Sequence, residues 1–357
     1  MKILIVVNAL KFGGAEKQAI IDANSLVNQG HQVTIAFNKK GELEKLLSRD
    51  IKRYQIKNKN VIFASVQLLY HLWFNKYNII HCHMFWAEKV SVLPGKLTNH
   101  KLVFNEHGLG LWRKWYHILI IRFISIFVDK IITSCEATKK VRIEREKINR
   151  NKLITIYNSF DNIGEKHSNV TLPDFLKNKK EFIISFIGRF NPVKRLRIFI
   201  EIAEQLKKKI PRFRIVLVGD GEEKKKVKEE VKKRGLSRYF YMPGFILNPA
   251  PYYKVSDVFV LPSIREAFSI ALLEAGASGI PAIAFNVGGN SEIIKDNITG
   301  FLISDRDISL LIEKIVFLYQ NSEKKENMGK AAREYIKNTF SVKNRINNLE
   351  KLYRDII

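Results

Sequence analysis

The amino-acid sequence predicts an α/β protein built from two doubly wound parallel-sheet domains. Three observations carry this. The chain has 357 residues, enough for two domains with full cores. Short β-branched and aromatic runs alternate with helix-length patterns along most of it, as parallel sheets with helices on both faces require. A polar stretch of low periodicity, Asp161 to Lys180, interrupts the alternation, which resumes at Phe182.

In order, the first half predicts a strand at Ile3–Asn8, a helix at Glu16–Asn28 stopped by Gly30, and a strand at Gln32–Phe37. A helix at Phe63–Phe74, strands at Asn78–His83 and Lys101–His107, a helix at Trp112–Phe127, and strands at Lys130–Cys135 and Leu153–Asn158 follow. The second half predicts strands at Phe182–Gly188, Phe213–Gly219, Tyr239–Met242, Val258–Leu261, Ile280–Phe285 and Phe301–Ser304, with helices between them. The chain closes in helical patterns at Ile308–Tyr319, Lys324–Asn338 and Val342–Ile357. The expected division is a first domain over 1–165, a linker over 166–180, a second domain over 181–338 and a terminal helix over 339–357.

The opening MKILIVVNALKFGG has too short an apolar run for a secretory signal and reads as a buried strand. The longest lipophilic stretch, His117–Val128, is broken by Arg122 and falls short of the roughly 18 apolar residues of a membrane span. Cys82 and Cys135 show no pairing pattern, which suits a reducing compartment and a cytoplasmic location. The net charge of +26, from 61 basic and 35 acidic residues, points to anionic partners: nucleotides, acidic lipids or nucleic acid. No nucleic-acid reading module is present, so no nucleic-acid partner is expected.

The most informative stretch is VFVLPSIREAFSIALLEAGASGIPAIAFNVGGNSEII, Val258 to Ile294, which reads strand, loop, helix, strand. Its loop and first helical turn belong at the carboxyl edge of a parallel sheet, where orphan amides and the helix dipole attract anions. Glu266 lies in the loop and Glu274 eight residues on, inside the helix. Glu274 is too deep to meet a phosphate at the helix end but can reach a neutral diol beyond it, which suits a nucleotide sugar. Taken alone, two glutamates near a helix start are also ordinary dipole partners.

This spacing, with the filling EAFSIALLEA, resembles the paired-glutamate motif of retaining glycosyltransferase family 4. Ala267 and Ser269 stand where the family usually has Gly and often Gly or Pro. The resemblance implies the GT-B fold, two Rossmann-like doubly wound parallel-sheet domains facing across a cleft, with the last helix crossing back to the N-terminal, acceptor-binding domain. It also implies that Glu274 holds the ribose, that Glu266 faces the donor sugar, and that amides around Phe268, Ser269 and Ile270 hold the diphosphate. Arg189 and Lys194, in FIISFIGRFNPVKR, match the family's diphosphate-binding pair, and two cations at that sheet edge can neutralise a departing diphosphate. Arg195 and Arg197 read as surface charge.

Gly13 and Gly14, in GGAEKQ, resemble the family's glycine loop, which touches donor phosphate and acceptor; on their own they also suit any tight strand-to-helix turn. His107, in FNEHGLG, resembles the histidine that reaches the transferred sugar, with Glu106 as an alternative, and a structural role competes. Ile246, with Gly244 and Phe245, resembles the segment packing the base, and Gly288, Gly289 and Glu292 a glycine turn beyond the motif. Asp220 reads as a turn residue. Asp305, Arg306 and Asp307 spell the Asp-x-Asp of metal-dependent transferases but precede a helix, where capping explains them. His81, Cys82 and His83 offer two imidazoles and no third ligand of obvious spacing. No metal and no cofactor are expected; the donor is a nucleoside-diphosphate sugar, UDP- or GDP-linked.

The resulting expectation is a retaining hexosyltransferase acting on a glycan or lipid-diphosphate-linked glycan in bacterial surface-polysaccharide synthesis, lipopolysaccharide or capsule. Without a convincing covalent nucleophile, same-face displacement is preferred, with Glu266 stabilising charge on the sugar. The stretch LWRKWYHILIIRFISIF, Leu111 to Phe127, places Trp112, Trp115, Tyr116, Leu119, Phe123 and Phe127 on one helical side and Arg113, Lys114 and Arg122 elsewhere. That pattern suits an interfacial helix on an anionic membrane surface, peripheral on the inner face of the cytoplasmic membrane, and equally a core helix. The rivals are a GT-B sugar-nucleotide epimerase, a non-catalytic GT-B partner and a nucleic-acid-binding protein.

Overall fold

Hydrophobic runs of four to eight residues buried on both faces pair most readily as parallel strands, and among the described residues every ladder is parallel. The computed structural model describes residues 1–11, 13–160, 171–178, 180–304 and 307–357. Residues 161–170 of the expected linker region, and Asp305 and Arg306, lie outside the described residues. The described chain divides into one unit of Met1–Ser159 with Val342–Ile357 and a second of Phe160–Ser341. The expected end of the first domain at 165 lies outside the described residues, and the second unit's last residue is Ser341, beside the expected 338.

The first unit runs β1 (Lys2–Ala9), α1 (Gly14–Asn28), β2 (Gln32–Lys39), β3 (Lys52–Gln55), α2 (Val61–Phe74), β4 (Ile79–His83) and α3 (Met84–Leu97). It continues with β5 (Lys101–Glu106), α4 (Trp115–Ile126), β6 (Lys130–Thr133), α5 (Glu136–Glu144) and β7 (Leu153–Thr155). The strand order is β3-β2-β1-β4-β5-β6-β7, so the order reverses between β1 and β4. One core cluster lies between the sheet and α2, α3 and α4, with Leu4, Val6, Ile80 and Phe104 below and Leu68, Val90 and Ile121 above. β3 escapes the sequence reading because KRYQ is polar and half exposed, an edge strand rather than a buried one.

The second unit runs α6 (Asp174–Lys177), β8 (Phe182–Ile187), α7 (Ile198–Leu206), β9 (Phe213–Val218), α8 (Lys224–Lys233), β10 (Phe240–Gly244), α9 (Ala250–Val255) and β11 (Val258–Leu261). It ends with α10 (Ile270–Ala277), β12 (Ala282–Phe285), α11 (Asn290–Ile293), β13 (Gly300–Ile303), α12 (Ile308–Gln320) and α13 (Ser322–Thr339). Its order, β10-β9-β8-β11-β12-β13, reverses between β8 and β11.

The terminal helix α14 (Val342–Ile356) belongs to the first unit. Arg345 holds it there: Nε and Nη2 donate to the two carboxylate oxygens of Asp22 at 2.6 and 2.7 Å, and Nη1 donates to the carbonyls of Ile156 and Tyr157. Tyr353 on the same helix lies 2.7 Å from His81 Nδ1. Among the described residues no helix is long and apolar enough to cross a membrane.

Candidate functional site

In an open parallel sheet a crevice forms outside the carboxyl ends of the strands where the order reverses. In the second unit that point lies between β8 and β11, and the sequence-predicted residues gather on the two connections leaving it. After β8 come Gly188, the exposed Arg189 and a single 3-10 turn, Pro192–Lys194, that ends in Arg195 with φ +50°. After β11 comes the loop to α10. The Ile264 amide donates to the Val193 carbonyl at 3.0 Å, tying the two connections together. Across that tie, Lys194 Nζ donates to Glu266 Oε1 at 2.5 Å, with both side chains largely buried. No side-chain partner is found for Arg189 among the described residues.

Helix α10 begins as the expected anion site requires. Ser269 is its N-cap, and the hydroxyl accepts from the Leu272 amide at 3.4 Å. The first intrahelical amide is Leu273, bonded to the Ser269 carbonyl. The amides of Ile270 and Ala271 therefore precede the helical ladder at the positive end of the dipole. Phe268 turns inward and packs edge-on against Phe340, so only its backbone faces the crevice side of the helix start. Glu274 lies one turn inside the helix, 9% exposed, and its Oε2 accepts from Tyr253 Oη at 2.9 Å. Burial, reinforced by the Glu274 charge, pushes the Tyr253 phenol well above its usual range and keeps it the donor. Nothing in the sequence marks Tyr253, because its partnership spans α9 and α10.

Strand ends close tightly beneath the site. A Cβ on Gly219 would stand 1.9 Å from the Gly188 carbonyl oxygen, and the residue has φ +144°. Its amide donates to the Gly244 carbonyl, placing β10 and the half-buried Ile246 beyond it at the same sheet edge. Asp220 is a turn residue, accepting from the Gly221 amide and pairing with Lys224. The Ala267 carbonyl accepts from the Gly289 amide, which joins the glycine turn to the Glu266 loop. Arg195, which the sequence does not distinguish, holds its guanidinium 5.3 Å from the Phe285 ring. Asp307 caps α12 through the Leu310 amide at 2.9 Å.

In the first unit the switch point between β1 and β4 carries a cavity of about 280 Å³. Asn8, Glu16 and His83 supply its polar wall, and Phe85, Trp86 and Trp112 its aromatic one. Gly13 is the N-cap of α1 and Gly14 its first helical residue, so the helix begins two residues earlier than expected and Gly14 stands in it rather than in a loop. His107 directly follows β5, with Nε2 2.9 Å from His83 Nδ1 and the rings stacked. Burial foremost, then the Arg345 charge, lowers the His107 pKa to about 4, so the imidazole is neutral at physiological pH.

Three expectations are corrected here. Glu106 is no alternative to His107: it is 3% exposed and paired with Arg113 at 2.6 Å and Arg142 at 3.2 Å. Arg113, expected on a helix over Trp112–Phe127 away from its apolar side, is buried and also bonds Glu146, and the helix starts at Trp115, leaving Leu111 and Trp112 in the preceding turn. Arg142 donates to the Gly108 carbonyl at 2.7 Å, so this network braces the loop that carries His107. Beside it Glu88 is fully buried, and burial first, then the neighbouring Glu106, raises its carboxyl well above the usual range. Finally, a third candidate ligand does stand by His81 and His83: Asp22, with ligand atoms within 4.8 Å. Both of its oxygens accept from Arg345, however, and a cation there would compete with a guanidinium already in place.

Comparisons with known proteins give the family and the fold. Residues 12–162 match the family described as Glycosyltransferase Family 4, and residues 170–335 match Glycosyl transferases group 1. Over 96% of its length the chain is 26% identical to 94% of the Escherichia coli UDP-Gal:alpha-D-GlcNAc-diphosphoundecaprenol alpha-1,3-galactosyltransferase. The crystal structure of Anabaena HepE in complex with UDP and glucose superposes with a TM-score of 0.86 at 19% identity, covering 99% of this chain and 100% of that one. A glycosyltransferase from Rickettsia africae gives 0.85 at 24% identity, covering 99% and 98%. The chain belongs to the family 4, group 1 glycosyltransferases and has their GT-B fold of two Rossmann-like parallel-sheet domains.

Proposed function

We propose that the protein is a retaining, metal-independent glycosyltransferase that takes a sugar from a UDP- or GDP-linked donor and builds a bacterial cell-surface polysaccharide on a lipid-diphosphate-linked acceptor. The observation that carries the donor reading is the meeting, at one sheet edge, of Lys194 and Glu266 with the capped start of α10 and the recessed Glu274. The orphan amides of α10, with Lys194 and Arg189, provide the positive field that a departing diphosphate needs, the task a divalent ion performs in other transferases. Glu274, held by Tyr253, accepts hydrogen bonds from the ribose diol. Glu266, released from Lys194 when phosphate takes over that cation, faces the sugar and stabilises its positive charge as the bond to phosphate breaks. The departing phosphate oxygen receives the acceptor hydroxyl proton, so the new bond forms on the face the nucleotide leaves. The Escherichia coli relative, whose name specifies a UDP-sugar donor and a diphosphoundecaprenol acceptor, supports the acceptor class.

Thermal unfolding with UDP, GDP, ADP, dTDP and CMP, each in EDTA and again with magnesium, tests the donor site. A ligand at about 100 times its Kd adds about 2.7 kcal/mol to stability. Stabilisation by one nucleoside diphosphate in EDTA, absent in Glu274→Ala, is the expected result. A response that appears only with magnesium overturns the metal-free reading. The anomeric configuration of the product, read by proton NMR, decides retention, and a Glu266→Gln variant with undiminished turnover would remove that carboxylate from the chemistry.

A further inference from the structure

Helices α2, α3 and α4 each turn one side into the core cluster of the first unit, yet their other sides are also apolar. On α2, Phe63, Val66, Tyr70, Trp73 and Phe74 are each 59 to 70% exposed, and the helix contains no Asp, Glu, Lys or Arg. Leu93 and Leu97 of α3 are 61 and 60% exposed, and Trp115, Phe123 and Ile126 of α4 are 72, 62 and 65% exposed. A surface helix of a water-soluble domain ordinarily turns charge outward, and a monomer rarely leaves apolar patches beyond a few hundred Å² uncovered. α2 packs against α3, and α3 touches α4, so the three exposed apolar sides lie on neighbouring helices.

Charge identifies what covers it. From Ile51 to Phe127 the sequence holds eleven Lys and Arg residues and only two acidic ones, Glu88 and Glu106, both buried. Lys57, Lys59 and Lys76 bracket α2, Lys96 closes α3, and Lys114 and Arg122 flank and punctuate α4, all exposed. A second copy of the chain would set this cationic rim against itself, whereas an anionic bilayer neutralises the rim while accepting the aromatics. None of the three helices is long enough to span a membrane, so the face lies on the surface rather than crossing it. Phe85 and Trp112, which wall the first-unit cavity, connect it to these helices: Phe85 lies in the first turn of α3, and Trp112, in the turn before α4, meets its ring edge-on. A lipid-borne acceptor could keep its chain in the bilayer while its head group enters the cavity.

We propose that the outer face of α2, α3 and α4 docks on the surface of an anionic lipid bilayer. This is independent of the donor reading, and the test needs no donor. The full chain is sedimented with vesicles of pure phosphatidylcholine and of a phosphatidylcholine–phosphatidylglycerol mixture, alongside a Phe63→Ser, Trp73→Ser, Phe74→Ser variant whose altered side chains are exposed. The wild type is expected to bind the mixed vesicles, and the variant to lose at least about tenfold in partitioning while melting at the wild-type temperature. Tryptophan emission of the unaltered protein gives a second reading: brominated lipid should quench it. Absence of wild-type binding and quenching overturns the proposal. So does undiminished binding by the variant, which would assign it to diffuse charge, and so does a wild-type dimer that the variant abolishes without change in vesicle binding, which would assign the face to a second copy.

Discussion

Arg345 and Asp22 show how much a single pair decides. Both are buried, and removing the guanidinium leaves a buried carboxylate without its counter-charge, with only the Gln18 amide still donating to it, together with two carbonyls that lose this donor. Arg345→Ala should destabilise the first unit by about 3–5 kcal/mol, read by urea unfolding. The same cluster predicts a pH dependence. Burial lowers the His81 pKa to about 3 and that of His107 to about 4. Below about pH 6.5 the unfolded chain binds protons that the folded chain refuses, so stability is complete above that value and falls as the pH drops towards the folded values. At pH 5 each group should cost about 2 kcal/mol, and His81→Gln should flatten the decline between pH 6.5 and 4. At this scale the sequence reading succeeded where a residue type matched a local task, as Asp307 does at a helix start. It failed where the partner is remote: Tyr253 for Glu274, Arg142 for Glu106, Tyr353 for His81. One-dimensional spacing carries no information about side chains that meet from different elements.

Among the elements, α10 matters most because its capped first turn is where the proposed function puts the donor diphosphate. Ser269 replaces a residue type that has no side-chain cap, and the hydroxyl satisfies the Leu272 amide. Ser269→Ala should cost about 1 kcal/mol of stability, while Ser269→Gly should cost only a few tenths because glycine is itself tolerated at a helix N-cap. Both are measurable as shifts in the denaturation midpoint. The ends of β8 and β9 close on one another at Gly219, where an added methyl would collide with the Gly188 carbonyl. Gly219→Ala should destabilise by more than about 2 kcal/mol, and because the collision lies beneath Arg189 it should also weaken nucleotide binding in calorimetry. Most strands and helices were legible from periodicity, with ends displaced by one to three residues. β3 was not, since a polar edge strand shows no hydrophobic period, nor were α3 and α5, and the helix at α4 begins three residues late because Arg113 is pulled into a buried ion network.

For the whole molecule, two units argue against a single two-state transition, so ligand effects are best read on each unfolding step separately. A nucleotide that binds the second unit should move the step belonging to that unit, and Arg345→Ala should move the other. The sequence by itself determined the α/β class, the two parallel sheets, the family and the positions of Glu266, Glu274, Arg189 and Lys194, because these rest on local hydrophobic period and on short motifs within one strand-loop-helix unit. Only the tertiary structure decided that Lys194 and Glu266 pair across two connections, that α14 is fastened to α1 through Arg345 and Asp22, that Glu106 and Arg113 are buried rather than available, and that the apolar sides of α2, α3 and α4 form one exposed face. Those facts depend on which elements become neighbours, and strand order, set by the packing of helices over a reversing sheet, is what makes residues distant in the chain adjacent in space.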